Sequence, residues 1–134
     1  IGTGTGVLAI AGIRLGACSA TGVDNDEWSY RNALENINAN AVEKLVTIIL
    51  GEISSVRGTT FDMIVANIQR TVIEPLLGEI KNRFSTPGVL ILSGLLLSER
   101  EAMIHALRGS GLNMIEELTE NEWLALAAAC PPEH

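Results

Sequence analysis

Ile1-Gly2-Thr3-Gly4-Thr5-Gly6 opens the chain, and this stretch decides how the rest of the sequence is interpreted. Glycines at alternate positions leave bare backbone where a ligand comes close, because a Cβ there would hold the ligand away. The apolar run 7–15 predicts a helix that Gly16 can end in the left-handed conformation. A short strand over 20–23 then leads to Asp24. This order of glycine loop, helix, strand and carboxylate is typical of a pocket for a nucleotide ribose.

The spacing of the glycines separates two classes of ligand. The dinucleotide fingerprint G-x-G-x-x-G would need a small residue where this chain has Val7, and the third glycine comes one residue early, at Gly6. The form G-x-G-x-G resembles the first motif of class I S-adenosylmethionine-dependent methyltransferases. In that family the loop lies against the methionine part of the cofactor, and an acid that ends the second strand binds the ribose hydroxyls. A glycine-rich turn without a ligand is the alternative.

The resemblance therefore implies a cofactor site for S-adenosyl-L-methionine in the first part of the chain. The ribose ligand would be Asp24, because a carboxylate at a strand end can accept hydrogen bonds from both hydroxyls. A helix-capping role is the other interpretation of Asp24, but Asp26 already fills it. The cofactor-binding residues implied here are Gly2, Thr3, Gly4, Gly6, Asp24 and Asn25.

Composition and charge bound the fold class and the partners. The 134 residues suffice for one domain with a buried core, and 47% hydrophobic against 4% aromatic residues indicates an aliphatic α/β interior. The formal net charge of −7 argues against nucleic acid, because an acidic protein gains nothing from releasing phosphate counterions. A basic protein partner suits this charge better, and plain solubility explains it equally well.

Membrane and metal-dependent proteins are disfavoured as well. No run approaches the roughly 18 apolar residues that span a bilayer, and no His, Cys and Asp cluster has the spacing of metal ligands. Cys18 and Cys130 form no C-x-x-C pair, and each lies in an apolar stretch. We therefore expect buried reduced thiols, a cytoplasmic protein, no membrane span and no metal.

Apolar periodicity and turn residues predict the remaining elements. A helix capped by Asp26 is expected over 27–38, with Trp28 in the core; a place beside the adenine is the alternative for Trp28. Trp123 is expected to pack on the sheet. The other expected elements are a strand at 46–50 buried on both faces, a strand at 61–66, a helix at 71–84 with Pro75 near its first turn, a turn at 86–88, a strand at 89–92, a helix from a capping box at 98–101 to Gly109, and a hairpin of strands 112–119 and 122–129.

The alternation of strands and helices predicts an α/β fold of the Rossmann-like, doubly wound type, with ligands at the carboxyl ends of its strands. A terminal antiparallel β-hairpin is what the class I methyltransferase version adds. Because the chain begins inside the glycine motif, we expect the first strand and the acid that follows it in that family to be missing. We expect residues 1–134 to be one domain from a longer chain. Loss of a central strand predicts that these residues alone bind the cofactor poorly.

Two further polar residues follow strands. Asn67 ends the strand at 61–66, where this fold places its catalytic motif, and its amide oxygen can accept a hydrogen bond from a substrate amine. Asparagine also ends strands for conformational reasons alone. Glu52 follows the strand at 46–50, where family members hold the adenine amino group, and a surface Glu that begins a short turn is the alternative. The Asn-Pro-Pro-aromatic motif of adenine and glutamine methyltransferases is absent, because Ile68 and Gln69 replace both prolines.

Taken together, several segments resemble the catalytic domain of the ribosomal protein L-eleven methyltransferase family. They are Gly2-Thr3-Gly4-Thr5-Gly6-Val7-Leu8-Ala9-Ile10-Ala11, Gly22-Val23-Asp24, Phe61-Asp62-Met63-Ile64-Val65-Ala66-Asn67-Ile68, Leu92-Ser93-Gly94 and Glu122-Trp123. Members of this family trimethylate the N-terminal α-amine and lysine ε-amines of their ribosomal protein, and a separate N-terminal domain recognises that substrate.

The resemblance implies an S-adenosylmethionine-dependent protein N-methyltransferase. Its glycine loop and Asp24 would hold the cofactor, with Glu52 beside the adenine, and the catalytic residue Asn67 would orient the amine and contact the cofactor. A class I methyltransferase of another protein or of a small molecule stays open, since the fold does not choose the substrate. So does a cofactor-binding domain without turnover.

Overall fold

The computed structural model describes residues 1–132 of an α/β protein. The chain divides into two compact units, one of residues 1–58 and one that begins at Thr59. Within residues 1–132, none of the helices has the length and apolar character that a bilayer crossing requires. The elements are α1 Val7–Arg14, β1 Ala20–Asp24, α2 Glu27–Ala39, β2 Val46–Leu50, β3 Phe61–Asn67, α3 Arg70–Ile73, α4 Leu77–Lys81, β4 Phe84–Leu96, α5 Arg100–Gly109, β5 Asn113–Glu120 and β6 Trp123–Ala129.

The first unit is a two-stranded parallel sheet with two helices. β1 pairs with β2 in a register that runs from Ala20 opposite Val46 to Asp24 opposite Leu50. Its core is formed by buried residues of α2, β2 and the segment between them: Ala33, Ile37, Val42, Val46 and Ile48. The capping prediction is confirmed, because the Asp26 carboxylate accepts a hydrogen bond of 2.9 Å from the Ser29 amide at the start of α2.

Three burial predictions for this unit are wrong. β2 is not buried on both faces, since Val46 and Ile48 point into the core while Thr47 and Leu50 are exposed. The side chain of Trp28 is 74% exposed, because the face of α2 that carries Ala33 and Ile37 is the one that packs inward. Cys18 is exposed in the turn before β1, although it is a free thiol as expected.

The second unit is a four-stranded mixed sheet in the order β3-β4-β6-β5. β3 and β4 are parallel, whereas β4 pairs antiparallel with β6 and β6 with β5. Along β4 and β6, and at the end of β3, buried apolar side chains alternate with more exposed ones, whereas β5 has no buried residue. The fully buried large side chains of this unit are Ile73, Leu77, Ile80, Leu90, Leu92, Leu95, Met103, Leu107, Leu112, Leu124 and Leu126.

The predicted helix over 71–84 is wrong in its continuity. The structure has the short helix α3, a 3₁₀ turn over Glu74–Leu76 and then α4, and Phe84 already begins β4. Pro75 lies in the 3₁₀ turn. Because proline has no amide N–H to donate and its ring crowds the preceding turn, a regular helix cannot pass through this position.

The predicted turn at 86–88 is also wrong. Residues 84–96 form one strand, and the parallel pairing with β3 passes from Phe61 opposite Phe84 to Met63 opposite Val89. β4 therefore has additional residues in this interval, and the segment with Pro87 is an irregularity within a strand. The Thr86–Pro87 peptide bond is cis.

The last predictions concern α5 and the hairpin. The helix ends at Gly109 as expected, but the capping box at 98–101 does not form: Glu99 instead accepts a hydrogen bond of 3.2 Å from the Leu96 amide. The terminal antiparallel hairpin is confirmed. Its turn is displaced by one residue from the prediction, because Glu120 still pairs with Trp123 across the two-residue connection 121–122.

Candidate functional site

The glycine loop before α1 has a backbone that only glycine adopts easily. Gly2, Gly4 and Gly6 have φ values of 61°, 53° and 80°, all in the left-handed region. The Gly6 amide donates to the Thr3 carbonyl oxygen at 2.8 Å, which closes the turn, and the Ile10 amide donates to the Gly6 carbonyl as α1 begins. The three glycines are therefore needed for the path of the loop.

Asp24 connects the glycine loop to the end of β1 by a hydrogen bond. Its Oδ2 accepts a hydrogen bond of 2.9 Å from the Gly4 amide, and its Oδ1 accepts one of 3.0 Å from the Asp26 amide. The Thr3 amide donates to the Val23 carbonyl at 3.1 Å. The structure thus brings together the glycine loop and the carboxylate that the sequence singled out. Each carboxylate oxygen can accept more than one hydrogen bond, so both retain capacity for a ligand hydroxyl.

Two residues that support this loop were not found by sequence reasoning. A Cβ on Gly22 would lie 2.8 Å from both Thr3 Oγ1 and Ile48 Cδ1, so any larger residue at position 22 would force Thr3 or Ile48 to shift. Asn36 of α2 donates from Nδ2 to the Thr5 carbonyl at 2.8 Å. An isolated glycine inside a predicted strand is a sequence signal of close approach, and it could have identified Gly22. No local signal marks Asn36.

The carboxyl end of β2 lies next to Asp24. The Gly51 amide donates to the Asp24 carbonyl oxygen at 2.8 Å, which places Glu52 at the same edge of the sheet. The Glu52 side chain is exposed, the Glu52 amide donates to Ser55 Oγ at 3.2 Å, and the Ser55 amide donates to the Glu52 carbonyl oxygen at 2.9 Å. Glu52 therefore begins the 3₁₀ turn Ile53–Ser55, as in the alternative of a turn-starting glutamate. Asn25 is exposed in the turn between β1 and α2. The adenine contact of Glu52 and the cofactor contact of Asn25 stay predictions.

In the second unit, Asn67 ends β3 and pairs with Ser93 of β4. Its side chain is exposed and forms no hydrogen bond with any residue in 1–132, so its amide group is free to bind a ligand. Next to it, β4 has a bulge against β6: the pairs Leu92 with Leu126 and Leu95 with Leu124 leave one additional residue on β4. Gly94 lies in this bulge with φ of 74°.

The same bulge lines a surface depression of about 460 Å³. Its other walls come from the hairpin, residues 118–120 and 123–125. Trp123, which is expected to pack on the sheet, is 50% exposed and contributes to this depression. Within residues 1–132, no three His, Cys, Asp or Glu side chains are grouped as a metal site requires.

Comparison with known proteins settles the family. The model of the family described as ribosomal protein L11 methyltransferase (PrmA) matches residues 1–130. The chain belongs to this family. A ribosomal protein L11 methyltransferase from Alkaliphilus oremlandii is 40% identical over 128 residues, which are 96% of this chain and 41% of that protein. The chain thus spans about two fifths of the length of the curated L11 methyltransferases it matches.

Solved structures agree with this assignment. A ribosomal protein L11 methylase from Lactobacillus delbrueckii subsp. bulgaricus has a TM-score of 0.89 and 28% identity, covering 95% of this chain and 66% of that one. A magnesium protoporphyrin IX methyltransferase from Synechocystis with bound SAH has a TM-score of 0.73 at 16% identity, over 96% of this chain and 71% of that one. At that identity the likeness shows the fold alone. The predicted class I methyltransferase fold is confirmed.

Proposed function

We propose that this chain is the S-adenosyl-L-methionine-binding part of an enzyme that transfers methyl groups from this cofactor to amines of ribosomal protein L11. The observation that carries the proposal is the hydrogen bond between the Gly4 amide and Asp24 Oδ2. It holds the glycine loop, whose glycines have positive φ, beside a carboxylate at a strand end. This arrangement suits a ribose and the methionine part of the cofactor. Membership of the L11 methyltransferase family supports the same substrate.

The residues of the first unit would bind the methyl donor, S-adenosyl-L-methionine. Gly2, Thr3, Gly4 and Gly6 would lie along its methionine part, where a Cβ would prevent contact. Asp24 would accept hydrogen bonds from the ribose hydroxyls, and ionised acceptors make such bonds stronger than neutral ones. Asn25 and Glu52 would lie beside the nucleoside. We place the enzyme in the cytoplasm with a basic ribosomal protein as its partner.

Asn67 would orient the nucleophile. S-adenosylmethionine, when bound, supplies a methyl group on a sulfonium whose departure leaves a neutral thioether. The amine must reach it unprotonated, and an α-amine with a pKa of about 7.7–8.0 needs less help than a lysine at about 10.4. The free side-chain oxygen of Asn67 can accept a hydrogen bond from an amine N–H and direct the nitrogen lone pair at the methyl group. Positioning of the amine relative to the methyl group would then supply most of the rate acceleration of methyl transfer.

A chimera tests the proposal. Residues 1–130 replace the matched segment of the Alkaliphilus oremlandii protein, and methyl transfer is measured to ribosomal protein L11 and to a panel of small-molecule amines. Transfer to L11 with little transfer to the panel supports the proposal. Transfer to the panel alone would point to a small-molecule methyltransferase, and donor binding without any transfer would point to a binding domain. Calorimetry of the 134-residue chain with the donor tests separately whether this part binds poorly alone.

Asp24→Asn in the chimera tests the ribose contact. The amide keeps one acceptor oxygen and turns an NH₂ group toward the Gly4 or the Asp26 amide, so it disturbs the loop and loses the charge. We expect the affinity for S-adenosyl-L-methionine to fall about tenfold or more, which corresponds to the loss of one charge-assisted hydrogen bond. Asp62→Asn is the matched control, since Asp62 is an exposed acid whose Oδ1 accepts from Ser85 Oγ in β4. Equal affinities of wild type and Asp24→Asn would refute the assignment.

A further inference from the structure

Asn67 projects its side chain into a space that exists only because residue 94 is glycine. A Cβ built on Gly94 would lie less than 3.0 Å from Asn67 Oδ1, a separation that real Cβ atoms essentially never show. Asn67 Cγ would be 3.6 Å away and the Asn67 carbonyl carbon 3.7 Å away. The amide group of Asn67 therefore lies directly over the bare backbone of the β4 bulge.

The side chain at position 94 decides which positions are open to this amide, because a Cβ there would take the space that Asn67 Oδ1 occupies. Among residues 1–132 the Asn67 side chain has no hydrogen-bond partner, so nothing polar in that range holds the side chain in its rotamer. Its oxygen and NH₂ group are consequently available to a ligand, but they need a restraint to be directional. A catalytic group whose reacting atom is misplaced by about 1 Å can lose about 100-fold in rate.

The backbone on both sides of the contact is held in place. Asn67 and Ser93 are partners in the β3–β4 ladder. Beyond the ladder, Arg70 Nε lies 3.4 Å from Glu99 Oε1, while Glu99 Oε2 accepts from the Leu96 amide. This pair joins the segment after β3 to the segment after the bulge, and its side chains are about 28% and 27% exposed. The strand ends cannot separate readily to make room for a larger residue 94.

We infer that Gly94 is a positioning residue for methyl transfer: its missing side chain, together with the bulge, leaves the Asn67 amide the space to adopt the position that receives the amine. The inference rests on the proposed function of Asn67. It assigns to Gly94 a role in turnover that is distinct from the conformational preference of glycine for a positive φ.

The decisive variant is Gly94→Ala in the chimera, with Gly111→Ala as its matched control. Both glycines have nearly the same φ, 74° and 77°, so both substitutions introduce similar backbone strain. A Cβ on Gly111 would meet the end of the flexible Lys81 side chain, which can move away. We expect Gly94→Ala to lower kcat about 100-fold and to leave donor affinity within about twofold. Gly111→Ala is expected to lower thermal stability while kcat stays at the wild-type value.

A double-mutant cycle separates positioning from general damage. In an Asn67→Ala background there is no amide for the new Cβ at position 94 to displace, so Gly94→Ala should have no further effect on kcat. An equal loss in both backgrounds, or a wild-type kcat for Gly94→Ala alone, would overturn the inference while leaving the proposed function intact. Full activity of Asn67→Ala would instead remove the proposed role of Asn67, and the inference with it.

A measurement on the unmodified chain covers the case in which Gly94→Ala does not fold. Three-bond couplings about χ1 of Asn67, measured by NMR on the 134-residue chain, are expected to report one rotamer. Couplings averaged over the three staggered rotamers would show that the side chain does not keep to the space over Gly94, and would overturn the inference without any variant.

Discussion

Asp24 illustrates what a single residue contributes in this fold. Its carboxylate and the Gly4 amide are 20 positions apart in the sequence and 2.9 Å apart in space. The glycine spacing and an acid after the next strand predicted that the two would line one pocket, because a βα connection returns the chain to the same sheet edge. The direct hydrogen bond between them was not predicted. Gly22 was missed: a glycine inside a strand signals close approach, but the groups that approach it, Thr3 and Ile48, can be named only from the structure.

Gly22 offers a prediction at this scale. A Cβ at residue 22 needs space now taken by Thr3 Oγ1 and Ile48 Cδ1, so Gly22→Ala should displace the loop and lower the free energy of unfolding by about 1–3 kcal/mol. Gly12→Ala is the control, because a Cβ there meets nothing within 4 Å in the interior of α1 and should stabilise by about 0.5–1 kcal/mol. Urea unfolding of the two variants should therefore give changes of opposite sign.

Elements were predictable where their cause is local. The hairpin, α2 with its Asp26 cap and the end of α5 at Gly109 follow from periodicity, capping and turn residues, and all three are confirmed. The prediction of one helix over 71–84 is wrong at Pro75, because proline lacks the N–H that a continuous helix needs there. The strand β4 failed for another reason: residues 84–88 are extended because Phe84 pairs with Phe61, a long-range contact.

The salt bridge between Arg100 of α5 and Glu117 of β5 gives a prediction at the element scale. Arg100 donates to both Glu117 oxygens, at 2.6 Å and 2.9 Å, and this hydrogen bonding holds the pKa of Glu117 below its ordinary value of 4.5. A lowered folded-state pKa contributes stability above pH 4.5, and that stability is lost as pH falls through the folded value. The stability difference between wild type and Arg100→Met should therefore shrink between pH 7 and about pH 3.5.

Urea unfolding at the two pH values measures this change. Arg31→Met is the control, because Arg31 pairs with Glu27 on the surface of α2, where the two side chains are 70% and 66% exposed. Exposed pairs of this kind contribute little at any pH. If the difference for Arg100→Met were the same at both pH values, the ionised Glu117 would not be the source of the stability.

For the molecule as a whole, the sequence predicted the alternation of strands and helices but not how the buried residues are distributed. Within residues 1–132, eight buried hydrophobic residues belong to the unit of residues 1–58, and fifteen belong to the unit that begins at Thr59. Every fully buried large side chain lies in the second unit. Volume and register decide these differences, and neither is encoded in the hydrophobic pattern of a single segment.

This imbalance predicts unequal local stability. Each buried aliphatic side chain contributes about 1.5–3 kcal/mol relative to its exposed form, so the second unit has more burial energy to lose on opening. Amides of β1 and β2 should therefore exchange with solvent through openings of lower free energy than amides of β4 and β6. Hydrogen exchange followed by mass spectrometry on the 134-residue chain measures both sets in one experiment. Equal protection in the two sheets would mean that they open together, and would contradict the prediction. Lower protection in β1 would place Asp24 and the glycine loop on the part of the chain that a bound ligand can stabilise most.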